Sequence, residues 1–188
     1  IKSSAASDVY KRQDMALYYA RMDAVYKDYM IAETNLQEVA QQVLLQNKYY
    51  LIQSHVKAEV ACPDTVYSDK KWIAFILNQL IQNSVKYGRS EGTHIQIVTK
   101  KTKSGVLLRV KDDGIGIPKE ELPRIFEKGF TGTNGRNRER STGMGLYLCR
   151  KLCDKLNIEI RAESAEGKGT EIILMFPVSD YLTGYRET

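Results

Sequence analysis

A chain of 188 residues is long enough for one domain with a substantial core, burying about 70% of its unfolded surface. Its 28 Lys and Arg against 23 Asp and Glu give a net charge of +5, and no basic face interleaved with aromatics suggests nucleic-acid reading. No stretch approaches the roughly 20 apolar residues needed to span a bilayer, and Cys62, Cys149 and Cys153 do not form a metal constellation, so reduced, buried thiols are the simpler reading.

Residues 1–13 are small and polar, with little core-forming content, and are set aside as a leader. Asp14–Ile31 carries Leu17, Tyr18, Met22, Val25 and Tyr29 at helical spacing, and Leu36–Gln53 is a second helix candidate. Lys57–Val60 reads as a strand. The next helix runs from Asp69, its start signal, to Tyr87, with Gly88 as a stop able to take the left-handed conformation. Within it Ile73, Ile76, Leu77, Leu80, Ile81 and Val85 are apolar, whereas Gln79, Gln82, Asn83 and Lys86 recur at i, i+3, i+4 and i+7 and line one face. That stripe is either a solvated outer surface or a ligand-facing one. In the second reading Asn83 offers a carbonyl oxygen to Mg2+ while Lys86 and Tyr87 reach phosphate oxygens. Magnesium prefers hard oxygen ligands and keeps several waters, so a single neutral amide can suffice beside the phosphates.

Strand candidates Ile95–Lys100 and Val106–Asp112 follow, and the second runs into Asp112-Asp113-Gly114-Ile115-Gly116-Ile117. Lys119–Phe126 is a further helix candidate. The polar, glycine-rich run 127–140, with Lys128, Arg136, Arg138 and Arg140, has the length and charge of a phosphate-seeking lid. Gly143-Met144-Gly145-Leu146 then opens a helix over Gly143–Leu156, and Ile158–Ala162 and Glu171–Phe176 are the last strands. A carboxylate beside two glycines, then a second glycine pair at a helix N-terminus, suits adenine at one end and a triphosphate at the other. Gly143-x-Gly145 has neither the third glycine of a dinucleotide fingerprint nor the ending of a P-loop. Helices and strands interleave without regular alternation, which predicts a mixed α/β domain, an α+β two-layer sandwich, and not a doubly wound parallel sheet.

The ordered segments Asn78–Tyr87, Asp112–Ile117, Arg124–Phe130, Gly143–Leu146 and Gly167–Thr170 resemble the N box, first glycine box, F box, second glycine box and final glycine turn of bacterial sensor histidine kinases. The wording around Tyr18–Asp23 and Ser141–Leu148 is most similar to the small sensor kinases that accompany peptide-antibiotic ABC transporters. The resemblance implies a Bergerat-type ATP-binding fold, with a mixed, mostly antiparallel sheet, helices on one face and a mobile lid. It implies a catalytic domain over 34–180 and the end of a second dimerisation helix over 14–33, with 181–188 a tail. It implies ATP and Mg2+, a dimerisation domain bearing the acceptor histidine, a response regulator, a homodimeric parent and a cytoplasmic location beside a membrane anchor. An ABC transporter is a further implied partner.

Residue by residue, the resemblance makes Asp112 the adenine-reading carboxylate, which accepts from the exocyclic amino group and repels a carbonyl at that position. Thr170 supports the same edge. Gly114, Gly116 and Ile117 border the base. Lys86, Tyr87, Lys128, Thr131, Gly132, Gly143, Met144, Gly145 and Leu146 reach the phosphates, and Asn83 is the metal ligand. Asp113 stands where the family usually has asparagine. Gln79 stands where gyrase-like relatives place a glutamate general base, and an amide has no useful basicity near neutral pH. Phosphoryl transfer to an imidazole needs no such base, so Gln79, Asn83 and Lys86 form the expected catalytic set of a histidine kinase. His55 and His94 have no helical acceptor context, so the fragment is expected to bind ATP without phosphorylating itself. A nonhydrolytic ATP-binding module, a gyrase-type ATPase and an anti-sigma type serine kinase are the alternatives.

Overall fold

The computed structural model describes residues 29–133 and 142–178. A five-stranded sheet is built from β2 (Val56–Ala61), β4 (Thr93–Thr102), β5 (Gly105–Asp112), β6 (Glu159–Ser164) and β7 (Thr170–Pro177). Its order is β2-β4-β5-β7-β6; β2 pairs with β4 in parallel and every other pairing is antiparallel. A separate antiparallel pair joins β1 (Ala32–Asn35) to β3 (Thr65–Ser68). The helices are α1 (Leu36–Gln46), α2 (Lys48–Gln53), α3 (Lys70–Lys86) and α4 (Gly145–Lys155). The apolar faces of α1, α3 and α4 meet alternate sheet side chains, among them Ile97, Leu108, Ile160 and Leu174, in one core. Helices therefore cover one face of a mixed, mostly antiparallel sheet, as expected.

Helix α3 is the rod of this arrangement. Asp69 caps it, accepting from the N–H groups of Lys71 at 2.9 Å and Trp72 at 3.4 Å. Its isoleucines and valine cost up to about 0.7 kcal/mol each in helix propensity. Burial of each is worth about 1.5–3 kcal/mol, so packing wins; Trp72, Ile73, Ile76, Leu77, Leu80 and Ile81 are all buried. The other carboxylate oxygen of Asp69 accepts from the N–H of Met30 at 2.9 Å, clipping the entering chain to the start of α3. The Tyr29 ring lies 6.4 Å from that of Trp72, reinforcing the clip.

Four sequence expectations are corrected. Of the helix expected over Asp14–Ile31, residues 14–28 lie outside the described residues, and 29–31 are irregular because the Met30 N–H goes to Asp69 and the chain extends into β1. The single helix expected over Leu36–Gln53 breaks at Asn47, whose side-chain amide donates to the Val43 carbonyl at 2.8 Å and to Asn78 Oδ1 at 2.8 Å, drawing the backbone out of the helical path. The helix expected over Lys119–Phe126 is only the 3-10 turn Leu122–Arg124, because Pro123 removes a donor and biases the residue before it away from the α region. Gly88 follows α3 without a positive φ; a Cβ there would strike the Thr93 hydroxyl oxygen, so contact, not handedness, requires glycine. The short strands β1 and β3 have no sequence counterpart among the expected elements.

Candidate functional site

Asp112 ends β5 and sits at the centre of a polar cradle. One carboxylate oxygen, Oδ1, accepts from the N–H groups of Gly114 at 3.0 Å and Thr170 at 3.1 Å. The other, Oδ2, accepts from the buried Ser84 hydroxyl at 2.8 Å. Burial raises the Asp112 carboxyl above its usual range, the three hydrogen bonds oppose that rise, and neighbouring Asp113 adds to it. A carboxylate offers about four acceptor positions. Two lie on Oδ1 and are filled, and one of two on Oδ2 is filled, so a single acceptor position remains open among the described residues.

The loops around the cradle are held by backbone contacts. The Ile115 N–H donates to the Tyr87 carbonyl at 3.0 Å, and the Gly167 N–H to the Ile115 carbonyl at 2.7 Å. A Cβ on Gly114 would press against the Tyr87 carbonyl oxygen and Asp112 Oδ1, so only glycine lets the first box lie this close to the end of α3. Ile117 N–H donates to Ser164 Oγ at 2.9 Å, and Ser164 Oγ lies 3.1 Å from Thr170 Oγ1. Arg89 closes the outer side, donating to the carbonyls of Asp113 at 2.7 Å and Gly167. Tyr87, Asp112, Gly114, Gly116, Ile117 and Thr170 are thus gathered at one end of the domain.

Along α3 the stripe Gln79, Gln82, Asn83 and Lys86 is half-buried, unlike a solvated outer surface. Asn78 is turned away from it, tied to Asn47. Lys86 Nζ lies 5.7 Å from the Tyr87 ring centroid. Among the described residues no cluster of three or more His, Cys, Asp or Glu could hold a metal. Asn83 therefore offers one neutral hard oxygen, a donor set that fits an ion arriving with phosphates and not one held by protein ligands alone.

A second cluster lies at the start of α4. The Gly129 N–H donates to the Gly143 carbonyl at 3.1 Å, and Gly143 has φ +65° with its Cα against the Gly129–Phe130 backbone, where a Cβ would collide. Helix α4 begins at Gly145 with Met144 as its N-cap and no side-chain cap bond. The amides of its first turn, Leu146 included, have no intrahelical partner, and the helix dipole there favours an anion. Glu121 accepts from the Thr133 N–H at 2.7 Å and hydroxyl at 2.6 Å, fixing the backbone just after Thr131 and Gly132. Phe126 and Phe130 pack against the core, and Arg124 covers the Phe130 ring at 4.6 Å. Lys128 is exposed; Arg136, Arg138 and Arg140 lie outside the described residues.

Residues 68–180 match the family described as histidine kinase-, DNA gyrase B-, and HSP90-like ATPase. The chain belongs to this ATPase family. The sensor histidine kinase YxdK of Bacillus subtilis is 35% identical over 85% of this chain and 50% of its own length. The sensor protein kinase GraS of Staphylococcus aureus is 37% identical over 89% of this chain and 48% of its own. The chain spans about half the length of the curated relatives it matches. Among solved structures, the nucleotide-free catalytic domain of histidine kinase ThkA is 26% identical with a TM-score of 0.67, covering 79% of this chain and 97% of that one. ThkA in complex with the response regulator TrrA gives a TM-score of 0.71 at 22% identity, over 93% of this chain and 50% of that one. The five-stranded sheet and its helices are the fold of histidine kinase catalytic domains.

The cradle around Asp112 is the candidate nucleotide end of the site in this ATPase-family domain. Three supports of these two clusters, Ser84 and Ser164 at the cradle and Glu121 beside Thr133, have no counterpart in the sequence analysis. Ser84 lies beside Asn83 on α3, and its only sequence signal is a small hydroxyl on an otherwise apolar helix side. Ser164 ends an edge strand, where serine is unremarkable. Glu121 falls in the segment read as helix, which hid its reach across to Thr133.

Proposed function

We propose that this domain binds ATP with adenine on Asp112 and delivers the γ-phosphoryl group to a histidine on a dimerisation domain, as the catalytic part of a sensor histidine kinase. One observation carries the reading: a half-buried carboxylate with three donors fixed on it keeps one acceptor position, which suits the exocyclic amino group of adenine. The names of the relatives, sensor histidine kinases, agree with it.

In this reading Thr170, Gly114, Gly116 and Ile117 border the base, and Lys86, Tyr87, Lys128, Thr131, Gly132 and the Gly143–Leu146 turn receive the phosphates. Asn83 would hold Mg2+, which supplies charge neutralisation to the phosphates when bound. Gln79 provides no base, and none is needed, because an unprotonated imidazole nitrogen is itself a nucleophile. His55 stands in a turn with φ 54° and His94 in β4, with Nε2 3.3 Å from Glu59; neither is on a helix, which supports an acceptor supplied from elsewhere. We assign 34–180 to the catalytic domain, 14–33 to the end of a dimerisation helix, 1–13 to a leader and 181–188 to a tail. The parent is a homodimer whose catalytic domains face the cytoplasm from a membrane anchor, with a response regulator and an ABC transporter as its partners.

The test mixes the 188-residue chain with a separately made dimerisation domain and labelled ATP. Acid-labile phosphohistidine on the added domain is expected. Steady phosphate release without it supports a gyrase-type ATPase, acid-stable label on a partner a serine kinase, and binding without transfer a nonhydrolytic module.

A further inference from the structure

We propose that Ser164 is a positioning residue that sets purine selectivity by holding the Thr170 hydroxyl as an acceptor. The inference rests on the reading of Asp112 as the purine-binding carboxylate. Ser164 ends β6 directly opposite Thr170, the first residue of β7. A serine hydroxyl has one proton and two lone pairs. Here the proton goes to the Gly169 carbonyl at 2.7 Å, and one lone pair takes the Ile117 N–H at 2.9 Å. The contact with Thr170 Oγ1 at 3.1 Å can then use only the second lone pair, so Thr170 must be its donor.

Thr170 therefore spends its hydroxyl proton on Ser164 and its backbone N–H on Asp112 Oδ1. What remains free on its side chain is lone pairs. The open position on Asp112 Oδ2 is a lone pair as well. This end of the cradle is thus uniformly accepting toward a group that contacts it directly. It matches the amino group at the 6-position of adenine and opposes a purine with a carbonyl there. Ser164 reaches this outcome without touching the base, because it fixes which way the Thr170 proton points.

Inosine triphosphate differs from ATP only in its 6-carbonyl and the proton on N1, so comparing wild type and variants with this pair reads the edge that faces Thr170 and Asp112. Calorimetric titration of both nucleotides, with Mg2+, into the full chain measures the selectivity ratio. Ser164→Ala releases the Thr170 proton to serve a 6-carbonyl, and the ratio of ATP to inosine triphosphate affinity falls on the order of tenfold, the worth of one hydrogen bond. Ser164→Thr keeps the hydroxyl and the wild-type ratio. In a Thr170→Val background, Ser164→Ala leaves the ratio where Thr170→Val alone puts it. An unchanged ratio in Ser164→Ala that melts as a folded protein overturns the proposal. So does a loss of selectivity in Ser164→Thr, or an equal further loss in the Thr170→Val background, since either traces the effect to turn geometry. A wild-type chain that takes up no ATP sinks the purine reading itself, and this inference with it.

Discussion

Ser84 Oγ and Asp112 Oδ2 stand 2.8 Å apart and join the last turn of α3 to the end of β5. Each solves a problem for the other. Ser84 is 5% exposed, and its hydroxyl needs an acceptor that the apolar side of α3 does not supply. Asp112 is buried enough for its charge to be costly, and the serine proton offsets part of that cost. The helix that carries Asn83 and Lys86 is thereby locked in register with the carboxylate at the other end of the site.

Replacing Asp112 by asparagine separates binding from stability. Nucleotide affinity should fall by about 1.5–3 kcal/mol, or roughly ten- to a hundredfold, because a charged acceptor is lost. Stability should move the other way. The folded-state pKa of Asp112 lies above the ordinary value of 3.8, so the wild-type chain loses stability as pH rises through that folded-state pKa. Below the ordinary value both states are protonated and the cost vanishes. Urea melts of the nucleotide-free proteins should find Asp112→Asn at least as stable as wild type at pH 7, with its advantage shrinking on acidification toward pH 4. An advantage that grows on acidification would contradict the burial account. Ser84→Ala, which removes a donor from the carboxylate, should push the wild-type titration still higher.

The parts of this fold that were legible in the sequence are those with a repeated signal. Helix α3 announces itself through Asp69 and a long apolar period, and β4, β5 and β7 through short runs rich in β-branched and other apolar residues. Asp112 and Gly114 are legible because a carboxylate and glycines at fixed spacing have few other uses. Ser84 and Ser164 were not, because one hydroxyl carries no periodicity and its meaning depends on a partner 28 residues away for Ser84 and on a facing strand for Ser164. The β1–β3 pair escaped for a similar reason: strands of four residues show too little alternation, and their partners, from Asn35 with Thr65 to Ala32 with Ser68, are far apart in the chain. The break at Asn47 is again a tertiary effect, since the side chain that competes with the helix is also held by Asn78.

Asp113 carries a smaller prediction. Its Oδ1 accepts from the His94 N–H at 2.8 Å and its own N–H donates to the His94 carbonyl at 3.3 Å, so it serves the start of β4 and not the cradle. An asparagine oxygen accepts that bond equally well. Asp113→Asn should change nucleotide affinity less than about twofold and unfolding stability by under about 0.5 kcal/mol. Asp113→Ala leaves the His94 N–H without that acceptor and should cost about 1 kcal/mol in a urea melt. Equal effects of the two substitutions would rule out the acceptor role.

The thiols should be silent in the folded chain. Burial pushes Cys62 up to about 11 and Cys153 up to about 12, and Cys149 is raised well above its ordinary range by the same cause. The thiolate is the reactive form, so little of it exists near neutral pH. Iodoacetamide at pH 8 should label none of the three cysteines while the chain is folded and all three once urea unfolds it. Rapid labelling of Cys149 or Cys153 in the folded state would mean that α4 opens locally.

Gln79 tests which chemistry the α3 stripe is built for. It lies four residues before Asn83 on the same half-buried face, within reach of whatever Asn83 faces. A glutamate there would be a base able to take a proton from water, a contribution of about a hundredfold or more where water is well placed. Wild-type chain alone should release phosphate from ATP at a rate near background. Gln79→Glu should raise that rate by at least about tenfold, less than the full contribution because no other group on this stripe is known to orient the water. Phosphate release followed by a coupled assay, with Asn83→Ala added to remove the proposed metal ligand, decides the matter. If Gln79→Glu binds ATP and still releases none above background, the missing base is not what withholds hydrolysis, and exclusion of water from the γ-phosphate becomes the better explanation.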